Sequence, residues 1–123
     1  MNAELSPSSD QERDSAELRR GVITLAVLLA LRQESHGYGV QTVLARTGIP
    51  VRDGTLYPLL RRLEEGGALK SRWDDSIDRP RKFYTLTNRG NEVLTSLQRQ
   101  YMSLSLAIDQ LDRATLAAIL NQT

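Results

Sequence analysis

The sequence predicts a mainly α-helical protein with one small two-stranded β-hairpin, and three observations carry this prediction. A leucine stripe at helical spacing lies within residues 53–65 and follows a shorter helical segment across a glycine-containing turn. Two short runs with strand-like composition, 68–75 and 81–86, flank a polar turn. Apolar residues then repeat strictly at intervals of three and four between 94 and 111. This order predicts a winged helix-turn-helix followed by a C-terminal dimerisation helix.

Composition limits the classes of protein that the chain can form. A length of 123 residues, 40% of them hydrophobic, suits one compact domain with an accessory element. No run of about 18 apolar residues occurs, and residues 1–7 are neither cationic nor apolar, so we expect a soluble, cytoplasmic protein. With no cysteine, one histidine and no clustered acids, no catalytic constellation can be assembled, and only carboxylates remain as other strong metal ligands, so a metal site is not expected. We therefore expect a protein that is not an enzyme and needs neither a metal nor another cofactor.

Charge is distributed unevenly along the chain. The net charge is only +1, yet residues 46–89 carry ten bases and six acids. This excess favours an anionic partner for the segment that holds the leucine stripe and the hairpin. A solvated face of mixed charge is the competing interpretation.

The N-terminal part of the chain divides into a tail and a helix. Residues 1–14 are polar, include a proline and three serines, and show no apolar period, which predicts a mobile tail. Ser15 is placed to cap a first helix that runs to about Gln33. The apolar stripe of this helix is wide, which indicates burial on more than one side.

Glycines delimit the second and third helices. Two glycines beside His36 end the first helix, and a second helix then runs to about Thr47. Either Asp53 or Thr55 can cap the third helix. Pro58 favours the Thr55 cap, because a proline in the first turn leaves no backbone bond unmade, and we expect a loosened start. A pair of glycines at 66–67 supplies the left-handed end.

The hairpin after the third helix is interpreted as a wing. Its first strand alternates, so that Leu69, Ser71 and Trp73 share one side, and its second strand is aromatic and β-branched. A lone hairpin is marginally stable in water, so the wing must lean on the helices. Trp73 is therefore expected to cover the core, with stacking on an effector as the alternative.

The last element, which Thr87 can cap, predicts a homodimer. Its apolar residues repeat every 3.5 residues, the period of a coiled-coil seam, and a domain closed by three helices and a wing has little core left to receive them. Whether Asp112 starts a separate terminal helix stays open. The domains are thus a tail (1–14), a DNA-binding domain (15–87) and a dimerisation element (88–123). The predicted interface comprises Leu18, Val22, Leu94, Leu97, Tyr101, Leu104, Ile108 and Leu111.

Several motifs in this order resemble the PadR family of bacterial transcriptional regulators. They are His36-Gly37-Tyr38, Gly54-Thr55-Leu56-Tyr57-Pro58, Arg62-Leu63-Glu64, Trp73, Arg81-Lys82-Phe83-Tyr84, Leu86-Thr87 and Gly90. The resemblance implies a winged-helix repressor that binds palindromic double-stranded DNA as a homodimer, with the short C-terminus of the smaller subfamily. It also implies a small aromatic or hydrophobic effector that binds near the dimer interface and releases the DNA. The wing tip departs from the family pattern, because acids are mixed with its cations.

Candidate DNA-binding side chains are those that can reach bases or phosphates. Arg61 is expected to contact a base or phosphate, and the free N–H groups at the start of the third helix suit a phosphate. The competing interpretations are helical ion pairs for the arginines, a core position for Tyr57, and pairing of the wing cations with acids of the tip. Tyr38 is expected to be partly buried, and His36 to be bonded to backbone. The candidates are Tyr38, Thr55, Tyr57, Arg61, Arg62, Arg79, Arg81 and Lys82.

An effector site is expected at the dimer seam, where Leu97, Tyr101 and Met102 offer an apolar wall, an aromatic ring and a thioether. Plain interface packing is the competing role for these residues. The alternative function is a protein-interaction module that recruits a partner protein without binding DNA, and the acids of the wing tip favour it.

Overall fold

The computed structural model describes residues 9–76 and 78–122. These residues form a mainly helical molecule with a small antiparallel sheet, as predicted. The elements are α1 (Ser9–Ala30), β1 (Ser35–His36), α2 (Gly37–Arg46), α3 (Asp53–Glu65), β2 (Leu69–Asp74), β3 (Arg81–Leu86) and α4 (Asn88–Asn121). In the part of the chain that the structure describes, no helix is long and apolar enough to cross a membrane.

One hydrophobic core joins the second half of α1 to α2, α3, the base of the wing and the start of α4. The leucine stripe of α3 enters this core as predicted: Leu56, Leu59 and Leu60 are buried, and Leu63 packs against them. Full burial of one such side chain contributes about 1.5–3 kcal/mol. The same contacts turn the opposite face of α3 outwards. The largest fully buried side chains are Val27, Leu28, Leu31, Val40, Leu56 and Leu60.

The first helix differs from its predicted bounds at both ends. It begins at Ser9, so residues 9–14 belong to α1, and both the Ser15 cap and the tail boundary at residue 14 were wrong. It ends at Ala30 rather than near Gln33. The rest of the predicted tail, residues 1–8, lies outside the described residues.

The third helix starts without a side-chain cap. It begins at Asp53, and the cap residue Arg52 makes no side-chain hydrogen bond, so neither predicted cap, Asp53 or Thr55, is used. The Arg52 carbonyl instead accepts from the N–H groups of Thr55 at 3.0 Å and Leu56 at 2.9 Å. The Asp53 carboxylate accepts from Gln41 Nε2 at 2.6 Å and thereby ties α3 to α2.

A proline inside α3 and a glycine after its end shape this helix. Pro58 lies within α3, past its first turn, where it has no N–H to donate to the preceding turn. Gly67 adopts a φ of 82°, the left-handed geometry predicted for the end of the helix. Its N–H donates to the Glu64 carbonyl at 3.0 Å, and the chain then turns directly into β2.

The sheet contains a third strand that was not predicted. Its order is β1-β3-β2, and β1 pairs with β3 through Ser35 opposite Tyr84 and His36 opposite Phe83. Two residues at a glycine-rich turn carry no periodic signal, so the sequence indicates only the two-stranded wing. The extra strand joins the wing to the start of α2, which places His36 at the edge of the sheet.

The last element is one continuous helix, which answers the question left open at Asp112. As predicted, Thr87 caps it, because the Thr87 hydroxyl accepts from the Gly90 N–H at 3.0 Å. Leu94 is only 2% exposed within the core of its own chain, so its assignment to the dimer interface was wrong. Leu97 packs against the same core, whereas residues 101–122 are exposed.

Candidate nucleic-acid interface

The outward face of α3 carries two unpaired arginines. Arg61 and Arg62 are exposed opposite the buried leucines. Neither arginine makes an ion pair with another described residue, so the alternative of pairing with Glu64 or Glu65 is not found. Both guanidinium groups are therefore free to meet an anionic partner. Thr55, at the start of the helix, is exposed as well.

Glu64 ties the wing to α3 instead of pairing with the arginines. Its carboxylate lies 3.1 Å from Lys82 Nζ and accepts a hydrogen bond from the Ser71 hydroxyl, so both wing strands contact it. The hydrogen bond from Ser71, and then the one from Lys82, lower the pKa of Glu64. Glu64 in turn raises the pKa of Lys82. Lys82 thus joins the wing to α3. The competing interpretation, in which Lys82 pairs with an acid of the wing tip, was wrong.

A second ion pair holds the other side of the wing. Arg72 donates from Nε and Nη2 to the two carboxylate oxygens of Glu34 at 2.9 and 2.6 Å, a bidentate pair. The guanidinium also lies 5.0 Å from the centre of the Phe83 ring. The hydrogen bond from Arg72 lowers the pKa of Glu34. Sequence patterns miss this pair because the two residues are 38 positions apart.

His36 links the start of α2 to the wing. Its Nδ1 accepts from the Gly39 N–H at 3.1 Å, which confirms the backbone-bonded role predicted for it. Its Nε2 lies 3.0 Å from Arg81 Nη1. Burial, and then the positive charge of Arg81, lower the pKa of His36 below 6.5. A neutral imidazole has only one acceptor nitrogen, so the ring can accept either from the Gly39 N–H at Nδ1 or from Arg81 at Nε2, but not from both.

The acids at the wing tip do not neutralise its arginines. Asp74 accepts from both the N–H and the hydroxyl of Ser76, and these bonds lower its pKa. Within residues 9–76 and 78–122, Arg79 and Arg81 form no ion pair with a carboxylate. Both arginines are exposed. The competing interpretation, pairing with tip acids, is thus not found for them.

Three exposed aromatic side chains line a cleft between α2, α3 and the wing, which we call the aromatic cleft. Tyr38 is 71% exposed and Trp73 is 62% exposed, so the expected partial burial of Tyr38 and core cover by Trp73 were both wrong. Tyr57 is exposed as well, so the competing interpretation of Tyr57 as a core residue was wrong. The cleft has a volume of about 320 Å³. Its lining residues are His36, Gly37, Tyr38, Tyr57, Trp73, Arg81, Lys82 and Tyr84.

Comparison with known proteins agrees with this arrangement. The family model described as the Transcriptional regulator PadR-like family matches residues 25–96, which cover the end of α1 (residues 25–30), α2, α3, the wing and the start of α4. The chain belongs to this family. PadR-family regulators bind DNA and control transcription, and the family is generally non-enzymatic.

Individual relatives support the assignment to PadR-like regulators. Transcriptional regulator Rv3488 of Mycobacterium tuberculosis is 37% identical over 90 residues, which are 72% of this chain and 84% of the relative. A crystal structure of a PadR family transcriptional regulator from Eggerthella lenta is 41% identical, with a TM-score of 0.77 over 81% of this chain and 89% of that one. A PadR-like transcriptional regulator from Bacillus cereus is 28% identical, with a TM-score of 0.70 over 77% and 95% of the two chains.

The PadR-like chain has a second depression, between α1 and α4, which we call the α1–α4 groove. Its volume is about 480 Å³, and its walls are mainly apolar. Of the predicted effector residues, Tyr101 and Met102 line it, whereas Leu97 packs against the core. The predicted interface residues Leu18 and Val22 lie along the same groove.

Proposed function

We propose that this PadR-like regulator is a cytoplasmic repressor that binds a palindromic operator as a homodimer. In each copy, α3 enters the major groove and the wing enters the adjacent minor groove. One observation carries the proposal: the outward face of α3 presents Arg61 and Arg62 without ion pairs, although carboxylates lie nearby. Glu64 is held by Ser71 and Lys82 instead, which leaves the arginines to phosphates and base edges.

Each candidate side chain has a role that its position supports. Arg61 reads a base edge or holds a phosphate, and Arg62 contacts a flanking phosphate. Thr55 and the uncapped N–H groups of α3 suit a phosphate, because the positive end of the helix dipole lies there. Arg79 and Arg81 extend from the wing towards the minor groove.

The dimer rests on the C-terminal half of α4. Leu104, Ile108 and Leu111 are each about two-thirds exposed, in a stretch of α4, residues 101–122, whose side chains are all exposed. A long exposed apolar stripe on a helix marks an interaction surface. Its 3.5-residue period fits packing against a helix of the same kind in a second copy. The α1–α4 groove borders this seam and supplies apolar walls for a hydrophobic or aromatic effector, whose binding would alter the dimer and release DNA.

A salt-dependent titration tests the DNA-binding part of the proposal. Fluorescence polarisation with a labelled duplex from the region upstream of the gene should show affinity that falls steeply with salt, with a slope of about 0.9 per neutralised phosphate. Arg61→Ala should weaken binding by about 1–3 kcal/mol at the base it reads, or reduce the slope by about 1 if it holds a phosphate. Arg99→Ala is the matched control, because Arg99 is an exposed arginine of α4 on the side away from the seam. An affinity independent of salt would refute the proposal.

The dimer needs a separate test. Leu104→Asp places a charge in the proposed seam without touching the core, so light scattering should report a monomer of about half the wild-type mass. Circular dichroism controls for folding. A variant that keeps the wild-type mass would show that the copies pair elsewhere or that the protein is not a dimer.

The competing function is recruitment of a partner protein through the wing tip. Asp75 and Asp78 favour it, because both are exposed acids on the element proposed to contact DNA. A pull-down partner that persists after nuclease treatment and is lost in Asp75→Asn/Asp78→Asn would support this function.

A further inference from the structure

The aromatic cleft concentrates unusual side chains for an exposed surface. The chain contains six aromatic residues, and Tyr38, Tyr57 and Trp73 line this one depression in exposed positions. Exposed aromatic groups that cluster on a small protein mark a binding surface. Two cations, Arg81 and Lys82, also line the cleft; Lys82 is paired with Glu64, whereas Arg81 forms no ion pair with a carboxylate of the described residues. The cleft therefore suits an anionic ligand with a face that can pack against rings.

The position of Trp73 explains why it is exposed. It pairs with Lys82 across the wing, in the same register that places Leu69 opposite Leu86 and Ser71 opposite Tyr84. These pairs share the side of the sheet that faces α3, since alternate residues of a strand point to the same side. Trp73 lies closest to the tip, beyond the end of the core, so its indole stands over open space between wing and helix.

The location of the cleft identifies its ligand once α3 and the wing are placed on DNA. A major groove and its neighbouring minor groove are separated by one sugar–phosphate strand. If α3 occupies the first and the wing the second, that strand must cross between them, and the aromatic cleft lies between them. We propose that the aromatic cleft holds one sugar–phosphate unit of the operator backbone. The inference rests on the proposed function and adds a site to it.

Each lining group has a part in this contact. Arg81 has guanidinium N–H groups beyond the one beside His36, and they can donate to a phosphate oxygen. The hydroxyls of Tyr38 and Tyr57 supply neutral donors to the same phosphate. The indole of Trp73 packs against the apolar face of the deoxyribose. Lys82 is held by Glu64, so it fixes the wall of the cleft rather than the ligand.

This contact positions the protein without reading sequence. Phosphate and sugar contacts fix register and orientation on the duplex but carry no base information. The loss of Trp73 should therefore weaken binding to operator and to random duplex by the same factor. Because indole is uncharged, the salt slope should stay at its wild-type value, whereas Arg81→Ala should lower it by about 0.9.

The single tryptophan of the chain makes the test direct. Acrylamide quenching of Trp73 fluorescence is measured in the full-length protein, free and saturated with operator duplex, while polarisation of labelled DNA reports binding in the same samples. We expect the quenching constant to fall about threefold or more on binding, because the exposed indole becomes covered. An unchanged constant with fully bound DNA would overturn the cleft contact and leave the proposed function standing. Absence of any DNA binding would overturn both.

Affinity measurements give an independent readout. Trp73→Ala should weaken binding to both duplexes about five-fold or more, because tryptophans covered in an interface are among the residues whose truncation weakens binding most. Trp73→Phe is the matched control and should retain most of the affinity. Since Trp73 is largely exposed, both variants should keep the wild-type circular dichroism spectrum. A loss restricted to the operator would indicate a base contact and overturn the assignment, and so would unchanged affinity in Trp73→Ala. Competition of a small aromatic molecule or a partner protein for the cleft, with no protection of Trp73 by DNA, would assign the surface to that ligand instead.

Discussion

The junction between the wing and α4 depends on Gly90, and Gly90→Ala should disrupt it. A Cβ at this position would lie 2.0 Å from the Ala68 carbonyl oxygen and 3.1 Å from its carbon. Real Cβ atoms essentially never approach closer than 3.0 Å, so the start of α4 must move by about 1 Å. The same carbonyl accepts from the Thr87 N–H at 3.1 Å, and the Thr87 hydroxyl donates to Gly67. A displacement therefore strains the hydrogen bonds that fasten α4 to the wing.

Three contributions set the size of the effect. Overpacking costs about 1–3 kcal/mol, and loss of one backbone hydrogen bond costs about 1 kcal/mol. Replacing a helical glycine by alanine returns up to about 1 kcal/mol. We expect the free energy of unfolding to fall by about 2 kcal/mol. Displacement of α4 would also change the angle at which a dimer presents its DNA-binding domains.

Gly21→Ala is the matched control for this prediction. Gly21 lies inside α1, is exposed, and a Cβ there would meet nothing within 4 Å. The same substitution should therefore stabilise the protein by up to about 1 kcal/mol. Urea unfolding followed by circular dichroism measures both variants at one fixed protein concentration, because dimer stability depends on concentration. Equal or greater stability of Gly90→Ala than of the wild type would refute the close contact.

Three further predictions concern the DNA-binding domain. Burial and the neighbouring guanidinium of Arg81 lower the pKa of His36 below 6.5, so below about pH 7 the unfolded chain binds more protons than the folded one. Urea unfolding should therefore show the free energy of unfolding falling as the pH drops from about 7 through the folded pKa. His36→Asn keeps a capping oxygen and should flatten this pH dependence. Glu64→Gln removes a negative charge, which by itself would tighten DNA binding, yet polarisation should show about two- to fivefold weaker binding because the contact with Lys82 loosens. Gly37→Ala would place a Cβ 2.6 Å from the Tyr57 ring, which is free to move outwards, so urea stability should change by less than about 1 kcal/mol while DNA affinity falls about fivefold.

The sequence alone was sufficient to predict the elements whose apolar residues recur at a regular spacing. The leucines of α3 reveal the helix and its buried face, and the capping role of Thr87 follows from its place before an apolar period. The strand β1 has only two residues and therefore no period. The pair of Arg72 with Glu34 joins positions 38 apart, a distance at which one sequence gives no signal.

Periodicity also cannot identify the partner of an apolar stripe. Leu94 and Leu104 belong to one repeat, yet Leu94 is buried in its own chain and Leu104 is exposed. Similarly, alternation along β2 places Trp73 on the side that faces the helices but does not reveal that the core ends before it. For this reason the sequence indicated α3 and its buried face, while the aromatic cleft emerged only from the folded structure.

The continuity of α4 has a mechanical consequence. A single helix runs from the base of the wing to Asn121, and 34 residues correspond to roughly 50 Å. If two copies pair through the exposed C-terminal half of α4, a rigid helix of this length transmits small tilts. A tilt of about 5° at one end displaces the other end by roughly 4 Å. Successive major grooves on one face of DNA lie about 34 Å apart. In such a dimer, a ligand that opened the seam by a few degrees would change the distance between the two copies of α3 without touching either.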